Sequence, residues 1–385
     1  MSNGNKCTIC GEQTQIKIAD LCSNMKIMGN NFPAEKSVVV YCPKCGFVYS
    51  SFKDTKQSHF DEYYMYNSRT VKYEDVFGEL TPQYLEHVYD IISKYVATEG
   101  NVIDIAGGYG EIAEYLVSKG YSSLTMTEIK ADCIESVRAK GIRVIEKNVY
   151  DLKAVNEKYD IAVVSHDLEH FTDVSGAVEN IMSVVRDDGY VFIEVPDATQ
   201  YVELNRTPYH FLTYEHVCHF SDITLKNIAV KYGMEILELG HYIKCNDYPC
   251  VYVVMKKSDA YKDIQKDEAS ADKIRKYVEK CEVEIKDILN NYKEKKTPLI
   301  LWGIGASTTQ LLNGNFDDCN VIQLIDTNPS KHGLEFEIGE KNLKIEVPDA
   351  VVDSDAVILI LPIAYKRSIE KDIVSRGLKN KIESL

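Results

Sequence analysis

Residues 101–116 read NVIDIAGGYGEIAEYL, and they leave this chain few folds to choose from. Val102, Ile103 and Ile105 are the apolar residues of a short strand, with Asp104 near its end. Ala106-Gly107-Gly108-Tyr109-Gly110 is a tight turn, and Glu111 opens a helix. A strand that feeds a helix through glycines lets a ligand approach the backbone, because no Cβ stands in the way. A dinucleotide site would set a pyrophosphate over that turn. Asp104 is directed to the same place, where a carboxylate suits a cation or hydroxyls better than a phosphate. Eighteen residues beyond Gly110, Glu128 ends a second β-like run, where an acid can hold ribose hydroxyls. The glycine turn with both acids points to S-adenosylmethionine (SAM). A generic nucleotide-binding βαβ unit is the competing reading.

At 385 residues the chain is too long for one ordinary core, so two or three domains are expected. A formal net charge of −15 argues against a nucleic-acid partner, which needs a basic face. No apolar run approaches the length of a membrane span, and the polar start MSNGNKCTIC is not a signal peptide. Eleven cysteines without such a signal point to a reducing compartment, and the expected location is cytoplasmic.

Cys7-Thr8-Ile9-Cys10 and Cys42-Pro43-Lys44-Cys45 are two C-x-x-C knuckles. Each sets two thiolates on one turn, and together they predict a four-sulfur structural zinc site. Gly11 and Gly46 follow the knuckles, where the backbone needs freedom. A redox dithiol would not need two matched pairs.

Tyrosines crowd residues 51–80 (Tyr63, Tyr64, Tyr66, Tyr73), in a loop or short helix leading to the central domain. Packing explains such a cluster most simply, though a lid over a ligand pocket would use it too. From residue 80 to 195 helical and strand patterns alternate as a parallel sheet requires, with a turn expected at Asp187-Asp188-Gly189. Asn148 follows the third strand, where a cofactor's adenine would lie, and His166 follows the fourth. Residues 196–220 break the rhythm and bring Tyr201, Arg206, His210, Tyr214, Glu215, His216 and His219 together. Glu215 beside His216 offers two titratable groups to one substrate. Residues 257–297 have the apolar spacing of a long amphipathic helix. Beyond it, Trp302-Gly303-Ile304-Gly305-Ala306 and a strand ending in Asp326 repeat the strand–glycine–helix pattern.

Taken in order, the knuckle head, the Tyr214-Glu215-His216 run before Phe220-Ser221, and the tail with Ile325-Asp326-Thr327-Asn328-Pro329 resemble one family. It is the three-domain bacterial C-methyltransferases of nucleotide-linked keto-deoxysugars. The resemblance implies an α/β architecture: a zinc-binding head over residues 1–50, a class I SAM-methyltransferase sheet over 51–256, and a helical linker with a Rossmann-like domain over 257–385. It implies SAM held by Asp104, Gly108, Gly110, Glu128, Asn148 and His166, and zinc held by Cys7, Cys10, Cys42 and Cys45. It also implies an active site of Glu215 and His216 with a tyrosine, best matched by Tyr64 or Tyr66, and a tail that helps enclose a nucleotide sugar. Ala106 departs from the family's usual glycine. His216 as a neutral imidazole is expected to remove a proton beside a ketone, with the tyrosine on the enolate oxygen and Glu215 orienting the base or binding a sugar hydroxyl. O-methylation of a sugar or small metabolite is the alternative, and a non-catalytic SAM-binding scaffold a second one.

Overall fold

Apolar strands buried on both faces need helices on either side, and the middle of the chain builds that arrangement. The computed structural model describes residues 6–22, 36–52, 56–66, 80–204, 207–245, 247–258, 263–312, 314–352 and 355–385. Tyr73 and Arg206, and the side chains of Tyr63 and Tyr66, lie outside that set.

The head carries β1 (Ile16–Cys22), β2 (Lys36–Tyr41) and β3 (Val48–Ser51), paired antiparallel. Helices α1 (Gln57–Tyr66) and α2 (Leu80–Ile92) lead into the central sheet. The sequence spacing carries α2 to residue 97, but the helix stops five residues earlier and a short turn joins it to the next strand.

Strand β4 (Asn101–Asp104), α3 (Glu111–Ser118), β5 (Ser123–Glu128), α4 (Ala131–Ala139) and β6 (Arg143–Glu146) form the first half of the central unit. Strand β7 (Tyr159–Ser165), α5 (Val174–Val184) and β8 (Val185–Pro196) continue it. The turn expected at 187–189 does not separate helix from strand. Tyr159 pairs with Val185 and Ile161 with Tyr190, so residues 186–189 bulge opposite Asp160 within β8. The Arg186 guanidinium binds the Asp160 carboxylate there.

Strand β9 (Cys218–His219) leaves the central unit and pairs with β3, completing the head's sheet. After α6 (Asp222–Lys231), the antiparallel strands β10 (Met234–Lys244) and β11 (Tyr248–Lys257) close the central sheet in the order β10-β11-β8-β7-β4-β5-β6. Its five adjoining strands from β6 to β8 are parallel. The direction of winding reverses between β4 and β7, and the crevice at their carboxyl ends is where such sheets bind ligands.

Helix α7 (Ser270–Lys295) buries Ile274, Tyr277, Cys281, Ile285 and Leu289, the stripe its spacing predicts. That stripe packs in one apolar cluster with Leu21, Val39 and Val48 of the head, Tyr201 and Phe211, and Leu299 and Leu301 of the last unit. At roughly 1.5–3 kcal/mol for each large apolar side chain buried, this shared core binds all three parts together. The last unit comprises β12 (Pro298–Trp302), α8 (Ala306–Leu312), β13 (Asn320–Ile325), β14 (Glu335–Ile338), β15 (Lys341–Glu346), β16 (Val357–Ile360), α9 (Lys366–Ser375) and β17 (Ile382–Ser384). Its sheet runs β14-β15-β13-β12-β16-β17. No helix among the described residues is long and apolar enough to cross a membrane.

Candidate active site

A cavity of about 1080 Å³ opens between the central unit and the last one. Its floor is the turn after β4. A Cβ on Gly107 would stand 2.5 Å from Asp104 Oδ2, so the turn lies directly on that carboxylate. Gly108 takes a φ of +58° with open space beside it, as a close ligand approach requires. Gly110, left-handed at φ +78°, is also closely packed, because a Cβ there would meet Val137 Cγ2 of α4 at 2.8 Å. Ala106 is left-handed at φ +55°, which costs an L-residue roughly 1–2 kcal/mol. Its N–H donates to Thr127 Oγ1 at 3.0 Å, a bond that helps hold the strained turn.

Asp104 is buried, and its Oδ2 has no hydrogen-bond partner among the described residues. Burial, with Glu111 and Glu128 adding, pushes its pKa up to about 8. Glu128 is also buried, but well supplied with donors. Its Oε2 accepts from Gly108 N and Tyr64 OH, both at 3.0 Å, and its Oε1 from Ile129 N at 2.6 Å and Lys130 N at 2.9 Å. Burial nonetheless raises its pKa. An orphaned acid under a glycine turn, beside a second acid at the end of β5, fits a cationic nucleoside such as SAM.

Helix α1 covers this end of the cavity. Tyr64 reaches Glu128, and Asp61 Oδ2 accepts from Asn148 Nδ2 at 3.0 Å. Gln57 Oε1 accepts from Thr172 N at 2.8 Å. Tyr64 is therefore engaged at the ribose-type acid, and burial raises its phenol pKa so that it stays protonated. Tyr66 ends the same helix.

His166 lies at the end of β7 with φ +59°. Its Nε2 is 2.9 Å from Glu194 Oε1, a buried carboxylate of β8. Burial opposes both charges, yet Cys250 and Glu169 hold His166 well above its ordinary pKa, and the His166 contact holds Glu194 down at about 2. Tyr84 OH donates to the same Glu194 at 3.2 Å, and Tyr242 OH to its other oxygen. Sequence reasoning passed over Glu194, although one acid in the apolar strand VFIEV was a readable signal.

His170 and His216 meet at 5.1 Å between ring centroids, inclined at 73°. Burial, then the nearby His170, keeps the pKa of His216 well below the ordinary value, so the ring is neutral at pH 7. The carbonyl of Glu215 lies 2.9 Å from His170 Nδ1. Glu215 and His216 both line the cavity, as do Asn148 and His166.

Residues 77–239 match a family model described as a methyltransferase domain. The middle of the chain is a methyltransferase domain. The enzyme class follows from that match: a methyltransferase. No curated protein matches the chain. Solved structures with a similar fold include the magnesium protoporphyrin IX methyltransferase of Synechocystis PCC 6803 with bound SAM, at 14% identity and TM-score 0.37, covering 50% of this chain and 88% of that one. A SAM-dependent methyltransferase from Archaeoglobus fulgidus aligns at 17% identity and TM-score 0.40, over 48% and 98% of the two chains. The N-methyltransferase NodS of Bradyrhizobium japonicum WM9 aligns at 13% identity and TM-score 0.37, over 47% and 98%.

Across the cavity from the methyltransferase domain stand Trp302, Gly303, Gly305, Asp326 and Lys331 of the last unit. Lys331 Nζ is 3.2 Å from Asp326 Oδ2, and Asn328 N donates to Asp326 Oδ1 at 2.8 Å. In the head, the four sulfurs of Cys7, Cys10, Cys42 and Cys45 lie within 4.8 Å of one another. Cys7 and Cys45 are 3.5 Å apart and Cys10 and Cys42 3.4 Å, compatible with the roughly 3.7 Å between sulfurs around a tetrahedral zinc. Gly11 N and Gly46 N close the two knuckles onto the carbonyls of Cys7 and Cys42.

Proposed function

We propose that this enzyme methylates carbon on a nucleotide-linked keto-deoxysugar, after base-assisted removal of a proton beside the ketone. The observation that carries the reading is the neutral His216 on the wall of a cavity that also contains Asp104, Glu128 and the glycine turn of the last unit. A neutral imidazole is the protonation state a base needs at pH 7.

Asp104, Gly108, Glu128 and Asn148 would hold SAM, which supplies an electrophilic methyl group when bound. Asp104 would face its positive charge, and Glu128 its ribose hydroxyls. His216 would take the proton, and the cavity would hold base, ketone and cofactor together, an effect of positioning. Glu215 would bind a sugar hydroxyl, and Tyr64 or Tyr66 would serve the enolate oxygen. Asp326, Asn328 and Lys331 would face the nucleotide handle. The four cysteines would bind zinc for structure alone.

The test is incubation of the purified enzyme with SAM and a panel of 4-keto sugar nucleotides in deuterated water, read by mass spectrometry. A product heavier by one methyl, with deuterium entering the acceptor before transfer, is expected. Methyl gain on reduced, ketone-free sugars without exchange would move the reaction to oxygen, with His216 deprotonating a hydroxyl. Near-normal turnover of His216→Asn would remove His216 as the base.

A further inference from the structure

His216 has Glu215 as its neighbour in sequence, but a second carboxylate, that of Glu169, faces the histidine pair. Glu169 is 1% exposed, and neither of its oxygens accepts a hydrogen bond among the described residues. One of those oxygens and one ring nitrogen each from His170 and His216 lie within 4.8 Å of one another. His216 Nδ1 is likewise buried without a partner. His170 is oriented by its Nδ1 contact to the Glu215 carbonyl, which leaves Nε2 with the lone pair. A buried carboxylate without a hydrogen-bond donor is costly; at rest its ion-pair partner is His166 Nδ1, 3.5 Å from Oε1, and protonation of His216 would bring a second positive charge beside it.

We infer that Glu169 is a positioning residue, whose carboxylate holds the His170–His216 pair and faces the imidazolium formed when His216 takes the acceptor's proton. The inference rests on the carbon-methylation reading above. In that step the C–H bond breaks, its electron pair passes into the enolate, and an N–H bond forms on the imidazole. The proton later leaves to solvent.

The groups facing His216 are His170, His219, His210 and His166, together with Glu169. Around Glu169 stand His166, whose Nδ1 is 3.5 Å from Oε1, and Asp167, Tyr201 and Cys218. Among these the histidines are the groups whose protonation a carboxylate would favour; His166, His170, His210 and His216 all line the cavity, and His216 is the one the reading above makes the base.

Two measurements on the full-length enzyme and its Glu169→Gln variant test this. The first needs no substrate: nitrogen-15 histidine NMR titrations. Loss of the carboxylate is expected to move the His216 titration down by about one pH unit or more. Unchanged titrations of both His170 and His216 would overturn the inference. The second is steady-state kinetics with the keto acceptor. The expected result is a kcat lower by about tenfold to a hundredfold, with acceptor KM and SAM affinity nearly unchanged and the acid limb of the kcat–pH profile moved to lower pH. Glu169→Asp, which keeps the charge, is expected to recover part of kcat, and it replaces the glutamine variant if that one misfolds. Loss confined to KM or SAM affinity would reduce Glu169 to a structural group. Metal analysis closes the test, since a divalent ion beyond that of the four cysteines, released by Glu169→Gln, would make the cluster a metal site and overturn the positioning role. A wild-type enzyme inactive on every ketone would sink the methylation reading instead, while the NMR titration still judges Glu169.

Discussion

At the end of β4 the chain turns through Ala106-Gly107-Gly108 with Asp104 beneath; at the end of β12 it turns through Gly303-Ile304-Gly305 with Trp302 in the corresponding place. The backbone device is the same, and the charges around it are opposite. Asp104 is an acid without a donor on Oδ2, backed by a second acid at Glu128. In the second turn the strand-end acid Asp326 is already paired with Lys331, and a Cβ on Gly305 would lie 3.3 Å from the Lys331 ammonium. A lysine over the turn suits an anion such as a phosphate, where the first turn suits a cation. One fold element can thus be tuned to either sign by the residue under the turn and the residue above it.

Removing the acid breaks the comparison most sharply. Asp104→Asn is expected to weaken SAM binding about a hundredfold by calorimetry, the loss of a charge contact worth roughly 2–3 kcal/mol. Lys331→Ala is expected to raise KM for a nucleotide-linked acceptor about tenfold while SAM affinity holds, since one phosphate contact is worth roughly 1.5 kcal/mol. Equal effects of the two variants on SAM would refute the division of labour.

The pH dependence sharpens it further. The native pKa of Asp104 is raised to about 8, above that of the unfolded chain. Its contribution to stability is therefore full below the unfolded pKa and is lost as pH rises through about 8. Asp104→Asn should accordingly raise the Tm of the ligand-free protein at pH 8.5, by roughly 2–4 °C, and not at pH 4. SAM favours the ionised acid, so binding at pH 7 should release a proton, seen as a binding enthalpy that changes with the buffer. The smallest effect belongs to Ala106→Gly. Relief of its left-handed φ is expected to stabilise the protein by about 1 kcal/mol in a denaturant melt.

The parts of this site that were legible in the sequence are local ones. Asp104, Gly108 and Glu128 sit at fixed offsets along one βαβ unit, and the knuckles carry their own spacing. The stripe of α7 was visible because helical period survives any tertiary context. What sequence order could not show are partners brought together by the sheet. Glu194 meets His166 because β8 lies next to β7, and Glu169 meets His216 because residues 196–220 fold back over the strand ends. Helix α1 was readable only as a loop or short helix, and its closure onto Glu128 and Asn148 joins residues more than sixty apart. The bulge at 186–189 looks like any polar turn until the register of its two strands is known.

One pairing set out above bears on how such a protein could be taken apart. His216 lies two residues before β9, which is hydrogen-bonded to β3 of the head, and Ser50 N donates to the Val217 carbonyl at 2.7 Å. Gly46, in the second knuckle, leaves no room for a Cβ because the Asp267 carbonyl would stand 2.0 Å from it, and Asp267 N donates to the Cys45 carbonyl. The knuckle thus grips the histidine loop on one side and the approach to α7 on the other. An engineer who cut the chain at residue 50 to borrow the methyltransferase would leave the histidine loop with a bare strand edge and the tail without its anchor. The smallest portable unit includes the head, and with zinc on the four cysteines as proposed, a chelator would silence the enzyme without ever entering the cavity.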